Sequence, residues 1–168
     1  MTTSTTELTL RRSTAADREV LLAVYASTRA DEMAAVAGPD EQKAQFLRMQ
    51  AEAQDVDYRT NHPDAELLVI TVDGVDAGRL YRRELDDELR LMDLSLLPAW
   101  RGRGIGTALL TELIEEAAGR HMTVSLHVEH WNPARRLYDR LGFVPTAQND
   151  VYLRMERAPS VVASGGRR

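Results

Sequence analysis

Apolar and polar positions along the chain change their period several times, and each change marks an element. Residues 7–12 alternate enough for a strand. Thr14 and Asp17 then form a capping-box pattern ahead of Val20, Leu21, Val24 and Tyr25, whose spacing predicts a helix. Gly38-Pro39-Asp40 breaks the chain, and residues 41–58 carry Phe46, Met49 and Ala53 at helical spacing among polar residues, which predicts a second amphipathic helix. The apolar run 67–72, the turn Asp73-Gly74 and the run 75–85 predict a hairpin. Asp86-Asp87 turns the chain into a further strand, 89–97, that Pro98 ends.

Residues 104–120 are expected to be helical, with Leu110, Leu113, Ile114 and Ala117 on one stripe. A short buried strand follows at 124–128. Pro133 stands where a further helix begins, Leu137 and Leu141 face inward, and Gly142 stops it. Strands at 143–144 and 151–155 close the pattern. The order βααβββαβαββ predicts an α/β domain with a mixed, mostly antiparallel sheet flanked by helices. At 168 residues there is room for one domain, with its core at 7–157 and a Ser/Gly/Arg tail at 158–168 that is expected to be disordered. No internal repeat is visible.

Composition narrows the chemistry. The formal net charge of −5 offers no general footprint for nucleic acid or anionic lipid, so any anion site must be local. With 0 cysteines there is no disulfide framework, thiolate metal site or cysteine nucleophile. No window approaches the length that spans a bilayer, and the first residues do not read as a signal peptide. The expectation is a soluble, unprocessed, cytoplasmic chain without metal, nucleic-acid or membrane partners.

The informative segment runs Leu94-Ser95-Leu96-Leu97-Pro98-Ala99-Trp100-Arg101-Gly102-Arg103-Gly104-Ile105-Gly106-Thr107, from strand through loop into helix. A helix begins with unpaired N–H groups and partial positive charge, and residues without side chains let a phosphate come close to those donors. Arg101 and Arg103 add local positive charge. A dinucleotide-binding fingerprint would need a third glycine at Thr107 and a place near the start of the chain. A P-loop would need a lysine after its last glycine, yet the only lysine is Lys43. Both alternatives fail.

Arg101, Gly104 and Gly106 meet the RxxGxG signature of the GNAT acyltransferase superfamily. The strand before it, Asn132 after it, and the run Ala134-Arg135-Arg136-Leu137-Tyr138-Asp139-Arg140-Leu141-Gly142-Phe143 also resemble that family. The resemblance covers roughly residues 7–157. It implies acetyl-CoA or another short acyl-CoA as cosubstrate, with direct attack of an amine on the thioester. The pyrophosphate would lie on Arg101, Gly102, Arg103, Gly104, Ile105, Gly106 and Thr107, and the pantetheine arm along Leu94, Ser95 and Leu96. Asn132 and Arg135 would complete the cofactor side. Asn132 lies six positions before Tyr138 where the family commonly has seven, so counting from the helix puts Trp131 there instead.

By the same resemblance Tyr138 is the general acid and the backbone N–H of Leu96 the oxyanion donor. His127, which alternates with apolar Leu126 and Val128, is the candidate base, with Glu129, Asp93, Glu88 or water as alternatives. The acceptor is a small-molecule or peptide amine, and Arg29, Asp31, Glu32, Tyr58, Arg59 and His62 are placed to influence it. A non-catalytic acyl-CoA sensor on the same fold is the competing reading. Monomer and homodimer are both compatible with the sequence.

Overall fold

The computed structural model describes residues 5–159, so from residue 160 on the expected disorder of the tail lies outside the described residues. The elements are β1 (Leu8–Arg12), α1 (Arg18–Thr28), α2 (Ala30–Ala34), α3 (Asp40–Asn61), β2 (Glu66–Val72), β3 (Val75–Glu84), β4 (Glu88–Leu96), α4 (Ile105–Gly119), β5 (Thr123–Glu129), α5 (Arg135–Arg140), β6 (Val144–Gln148) and β7 (Tyr152–Arg157). The seven strands take the order β1-β2-β3-β4-β5-β7-β6. The pairs β1–β2, β2–β3, β5–β7 and β6–β7 are antiparallel, and β4–β5 is parallel. A mixed, mostly antiparallel sheet with helices is therefore what the chain forms. Contacts divide it into two compact units: residues up to Arg83 with Met92–Gly106, and Glu84–Leu91 with the residues from Thr107 on.

In the first unit, the β2–β3 turn has both central residues at positive φ, Asp73 at 50° and Gly74 at 79°. This is the geometry that matches the twist of a two-residue hairpin. Val69, Ile70, Ala77 and Leu80 are buried on these strands, and Val24 and Tyr25 on α1. Thr14 and Asp17 make the reciprocal capping box, closing a 3₁₀ turn at Ala15–Asp17 that leads into α1. Arg11 on β1 grips Asp17 at 2.8 and 2.9 Å and reaches Asp76 on β3 at 2.9 Å, tying both strands to the start of the helix.

α3 departs from the expected phase. Phe46 and Met49 are 46% and 63% exposed, Ala53 is exposed too, and the inward stripe is Leu47, Ala51, Gln54 and Tyr58. Both stripes have the helical period, so period alone does not choose between them. On the inner side Gln54 accepts from Arg79, and at the exposed rim Gln50 accepts from the Tyr25 hydroxyl and Glu52 pairs with Arg18. The short helix α2 is not among the expected elements and absorbs Asp31 and Glu32, which lie exposed in its first turn.

In the second unit, α4 buries Leu109, Leu110, Leu113 and Ala117, with Ile114 half-buried at the edge of the stripe. β5 buries Val124, Leu126 and Val128. Gly142 follows α5 with φ 88°, as a helix-ending glycine should. α5 starts at Arg135 rather than Pro133, because Asn132 and Pro133 form a preceding turn in which the Asn132 side chain accepts from Ala134 N–H at 2.9 Å. The last two strands run later than expected, since Phe143 is buried ahead of β6 and Val151 lies in the turn before β7.

Asp17 is buried, and the Arg11 guanidinium, with the Thr14 N–H, holds its carboxyl down to about 2 from 3.8. Its stabilising effect is complete above the unfolded value and is lost as the pH falls through the folded one. Asp17→Ala is expected to lower stability by about 1–2 kcal/mol at neutral pH. In urea unfolding the gap to the parent protein should shrink between pH 4 and pH 2. A gap that stays constant across that range would refute the assignment.

Candidate active site

The last residues of β4 are set by an unusually close contact. A Cβ on Gly78 of β3 would fall 2.2 Å from the Ser95 carbonyl oxygen and 3.0 Å from Leu96 Cα. Only glycine lets the two backbones approach so far. Just beyond, Leu97 N–H donates to Ala77 carbonyl at 2.8 Å, and Pro98–Trp100 form a 3₁₀ turn. The half-buried Leu94, Ser95 and Leu96 thus end at a fixed point, from which the glycine loop departs.

Gly102 and Gly104 take φ of 70° and 79°, and a Cβ on either would have nothing within 4 Å. Such alternation turns successive N–H groups toward a common centre, which suits an anion. Ile105 is buried and anchors the first turn of α4, a turn with no acidic residue to oppose a phosphate. The arginines behave differently from the expectation that both simply add charge. Arg101 Nε donates to the Leu96 carbonyl at 2.9 Å and Nη2 to Ser27 Oγ at 3.2 Å, so its head braces the loop. Arg103 stacks over Trp100 at 5.0 Å. Gly106 and Thr107 follow Ile105 in the first turn of the helix. The loop thus presents backbone N–H groups, while Arg101 is committed to bracing it.

In the second unit, Tyr138 is half-buried on α5 with its ring against Phe143 at 5.8 Å. Asn132 Oδ1 is occupied by the Ala134 N–H in the turn before α5, and Trp131 is 67% exposed. Arg135 Nη1 donates to His130 carbonyl at 2.8 Å, while its Nε is the buried side-chain polar atom without a partner among the described residues. His127 faces away from buried Leu126 and Val128 and stands opposite Arg154 in the β5–β7 register. Lost hydration, then Arg154 and Arg90, push its pKa below the usual 6.5.

The alternative bases differ in how far they are committed. Glu88 accepts from Ser125, from Arg154 at 2.8 Å and from Arg90 at 3.1 Å; burial opposes its charge, yet these bonds hold its carboxyl below the ordinary value. Asp93 is ion-paired with Arg79 and accepts from Ser95 Oγ at 3.0 Å. Both act as structural acceptors. Glu129 is half-buried and pairs in register with Tyr152.

Arg79 and Gly78 were missed by sequence reasoning. Arg79 is buried, its Nε on Asp93 and its Nη2 on Gln54 at 3.0 Å, with its guanidinium over Tyr81 at 4.9 Å and Tyr25 at 5.8 Å. The signal available was a lone glycine beside an arginine inside a strand, which points to close backbone approach and a buried charge in need of a partner. Of the residues placed near the acceptor, Arg29 pairs with Glu32 at 3.3 Å, Arg59 with Asp55 at 2.9 Å, and Tyr58 packs edge-on against Tyr81. His62 lies 3.4 Å from Arg83.

A family model described as acetyltransferase (GNAT) family matches residues 25–143. A [ribosomal protein bS18]-alanine N-acetyltransferase of Haemophilus influenzae is 37% identical over 48% of this chain and 51% of its own length. The chain thus spans about half the length of that relative. Among solved structures, the PaiA N-acetyltransferase of Thermoplasma acidophilum in complex with coenzyme A has a TM-score of 0.68 at 19% identity, over 90% of this chain and 99% of that one. The ribosomal-protein-S18-alanine N-acetyltransferase of Escherichia coli has a TM-score of 0.62 at 20% identity, over 96% and 100%. At these identities the structures show a shared fold.

Gly78→Ala should lower stability by about 2–3 kcal/mol, since the added methyl meets backbone that cannot rotate away. Gly119→Ala, with nothing within 4 Å of its methyl, is the control and should be neutral or stabilising. Equal unfolding midpoints for the two variants would contradict the close approach of β3 and β4.

Proposed function

Since the chain belongs to the acetyltransferase (GNAT) family, we propose that it transfers an acetyl or other short acyl group from acyl-coenzyme A to an amine. The observation that carries this reading is the pair of positive-φ glycines at the start of α4. Its backbone donors, with Arg103 and the helix terminus, hold the pyrophosphate. Leu94, Ser95 and Leu96 carry the pantetheine arm, and Asn132 and Arg135 hold the rest of the cofactor. Acyl-coenzyme A supplies an activated thioester carbonyl.

His127 takes the proton of the attacking amine. Burial and the neighbouring arginines favour its neutral form at physiological pH, which is the form a base needs. The Leu96 N–H receives the developing oxyanion, and the Tyr138 hydroxyl returns a proton to the leaving sulfur. The acceptor is a small-molecule or peptide amine, and the relatives named for a ribosomal protein alanine keep a protein N-terminus within that class. The enzyme works in the cytoplasm as a monomer or homodimer, without a metal. No described helix is long and apolar enough to cross a membrane.

Coenzyme A and acetyl-CoA should raise the melting temperature, because a ligand that binds the native state stabilises it by mass action. No shift at millimolar cofactor would sink the reading. Tyr138→Phe should lose about 100-fold or more in rate of thiol release while keeping that thermal shift, the range for a general acid. An unchanged rate would remove Tyr138 from the mechanism. The acidic limb of kcat/KM should lie below the 6.5 of free imidazole. Arg154→Gln should move that limb upward, since removing a neighbouring cation favours imidazolium; a limb that stays put would show that His127 is not the titrating base.

A further inference from the structure

In the first unit, α1, α3 and β3 enclose a cavity of about 600 Å³, within the size range of small-molecule sites. Four guanidinium groups line it, from Arg18, Arg48, Arg59 and Arg79, against the two carboxylates of Glu52 and Asp55. Both carboxylates are already engaged, Glu52 by Arg18 and Asp55 by Arg59. Arg48 reaches only the well-exposed Glu19 at 3.4 Å, a kind of pair that contributes little. The loosely held cation of the lining is therefore Arg48, while Arg79 is paired behind the wall with Asp93.

Arg79 is the deepest of these, its side chain only 8% exposed. Its Nε and Nη2 are used by Asp93 and Gln54, a further bond joins it to Tyr81, and the guanidinium still forms part of the cavity wall. Tyr58 and Tyr81 stand beside it; burial pushes the Tyr58 hydroxyl up to about 12 and raises that of Tyr81, so both stay protonated and bring no further anion. Leu21, Leu22 and Ala51 add apolar wall. From the floor, Arg79 leads through Asp93 to the hydroxyl of Ser95, inside the strand segment assigned to the pantetheine arm.

The geometry points to this cavity as the acceptor pocket, taking an amine that also carries a carboxylate and an apolar body, the chemistry of a hydrophobic amino acid, with the carboxylate on Arg79. The assignment rests on the acyl-transfer reading. The amine nitrogen forms the new C–N bond as the C–S bond breaks, the amine proton leaves to the base, and the thiolate takes a proton from the acid. A polyamine fits poorly, because it would face four guanidiniums. The α-amine of a protein N-terminus has an amide where a free amino acid has its carboxylate, so it loses the contact with Arg79.

Calorimetric titration without acyl-CoA separates the pocket from the reaction. L-leucine and L-phenylalanine should bind at least tenfold more tightly than leucinamide and phenylalaninamide, and spermidine should bind more weakly than either amino acid. Arg48→Gln, at a partly exposed position that leaves the buried pair intact, should weaken the amino acids several-fold and narrow the acid-to-amide ratio. Amides or spermidine binding as tightly as the amino acids would overturn the pocket. Thiol release from acetyl-CoA is then followed with the same amines. Release without preference for the carboxylate overturns the pocket alone and leaves the reaction standing. Carboxylate-selective binding without release from any amine overturns the acceptor role together with the reaction.

Discussion

Gly78 and the backbone of Ser95 and Leu96 lie so close that the end of β4 has a single path. The contact is steric first, since no side chain fits, and is then locked by the hydrogen bond from Leu97 to Ala77. Everything after it inherits that position: the 3₁₀ turn at Pro98, the return of Arg101 onto the Leu96 carbonyl, and the two glycines that reverse the backbone before α4. An anion cradle made of N–H groups works only if those groups are held still. The start of this loop is held by a strand contact outside the loop itself.

One residue further along β3, the same crowding buries a charge. Arg79 is largely withdrawn from water, and leaving it alone would be strongly unfavourable. Asp93, Gln54 and two tyrosine rings surround it instead. This accounts for the phase of α3, which turns Gln54 and Tyr58 inward and leaves Phe46 and Met49 on the outside. Polar satisfaction, not apolar content, chose the buried face. Asp93 is committed to Arg79 and to Ser95 by these demands, as Glu88 in the second unit is committed to Ser125, Arg90 and Arg154.

The second unit shows the same division of labour on a smaller scale. Val124, Leu126 and Val128 bury one side of β5, while Ser125 and His127 turn to the other, where Glu88, Arg90, Arg154 and Glu156 form a polar cluster. Glu88 gathers the donors, while lost hydration, with Arg154 and Arg90, lowers the pKa of His127.

Much of this was legible in the residues alone, wherever the information is local. The capping box at Thr14 and Asp17, the Asp73-Gly74 turn, the apolar stripe of α4, the helix-ending Gly142 and the glycine loop are all short patterns whose geometry follows from backbone sterics and a few hydrogen bonds. They placed the elements and the family. The inward face of α3, the bracing role of Arg101, the commitment of Glu88 and Asp93, and the buried guanidinium beside an apolar cavity required partners dozens of residues away. Arg79 and Gln54, or Gly78 and Ser95, have no local signature, because their energies exist only once the strands and helices have brought them into contact.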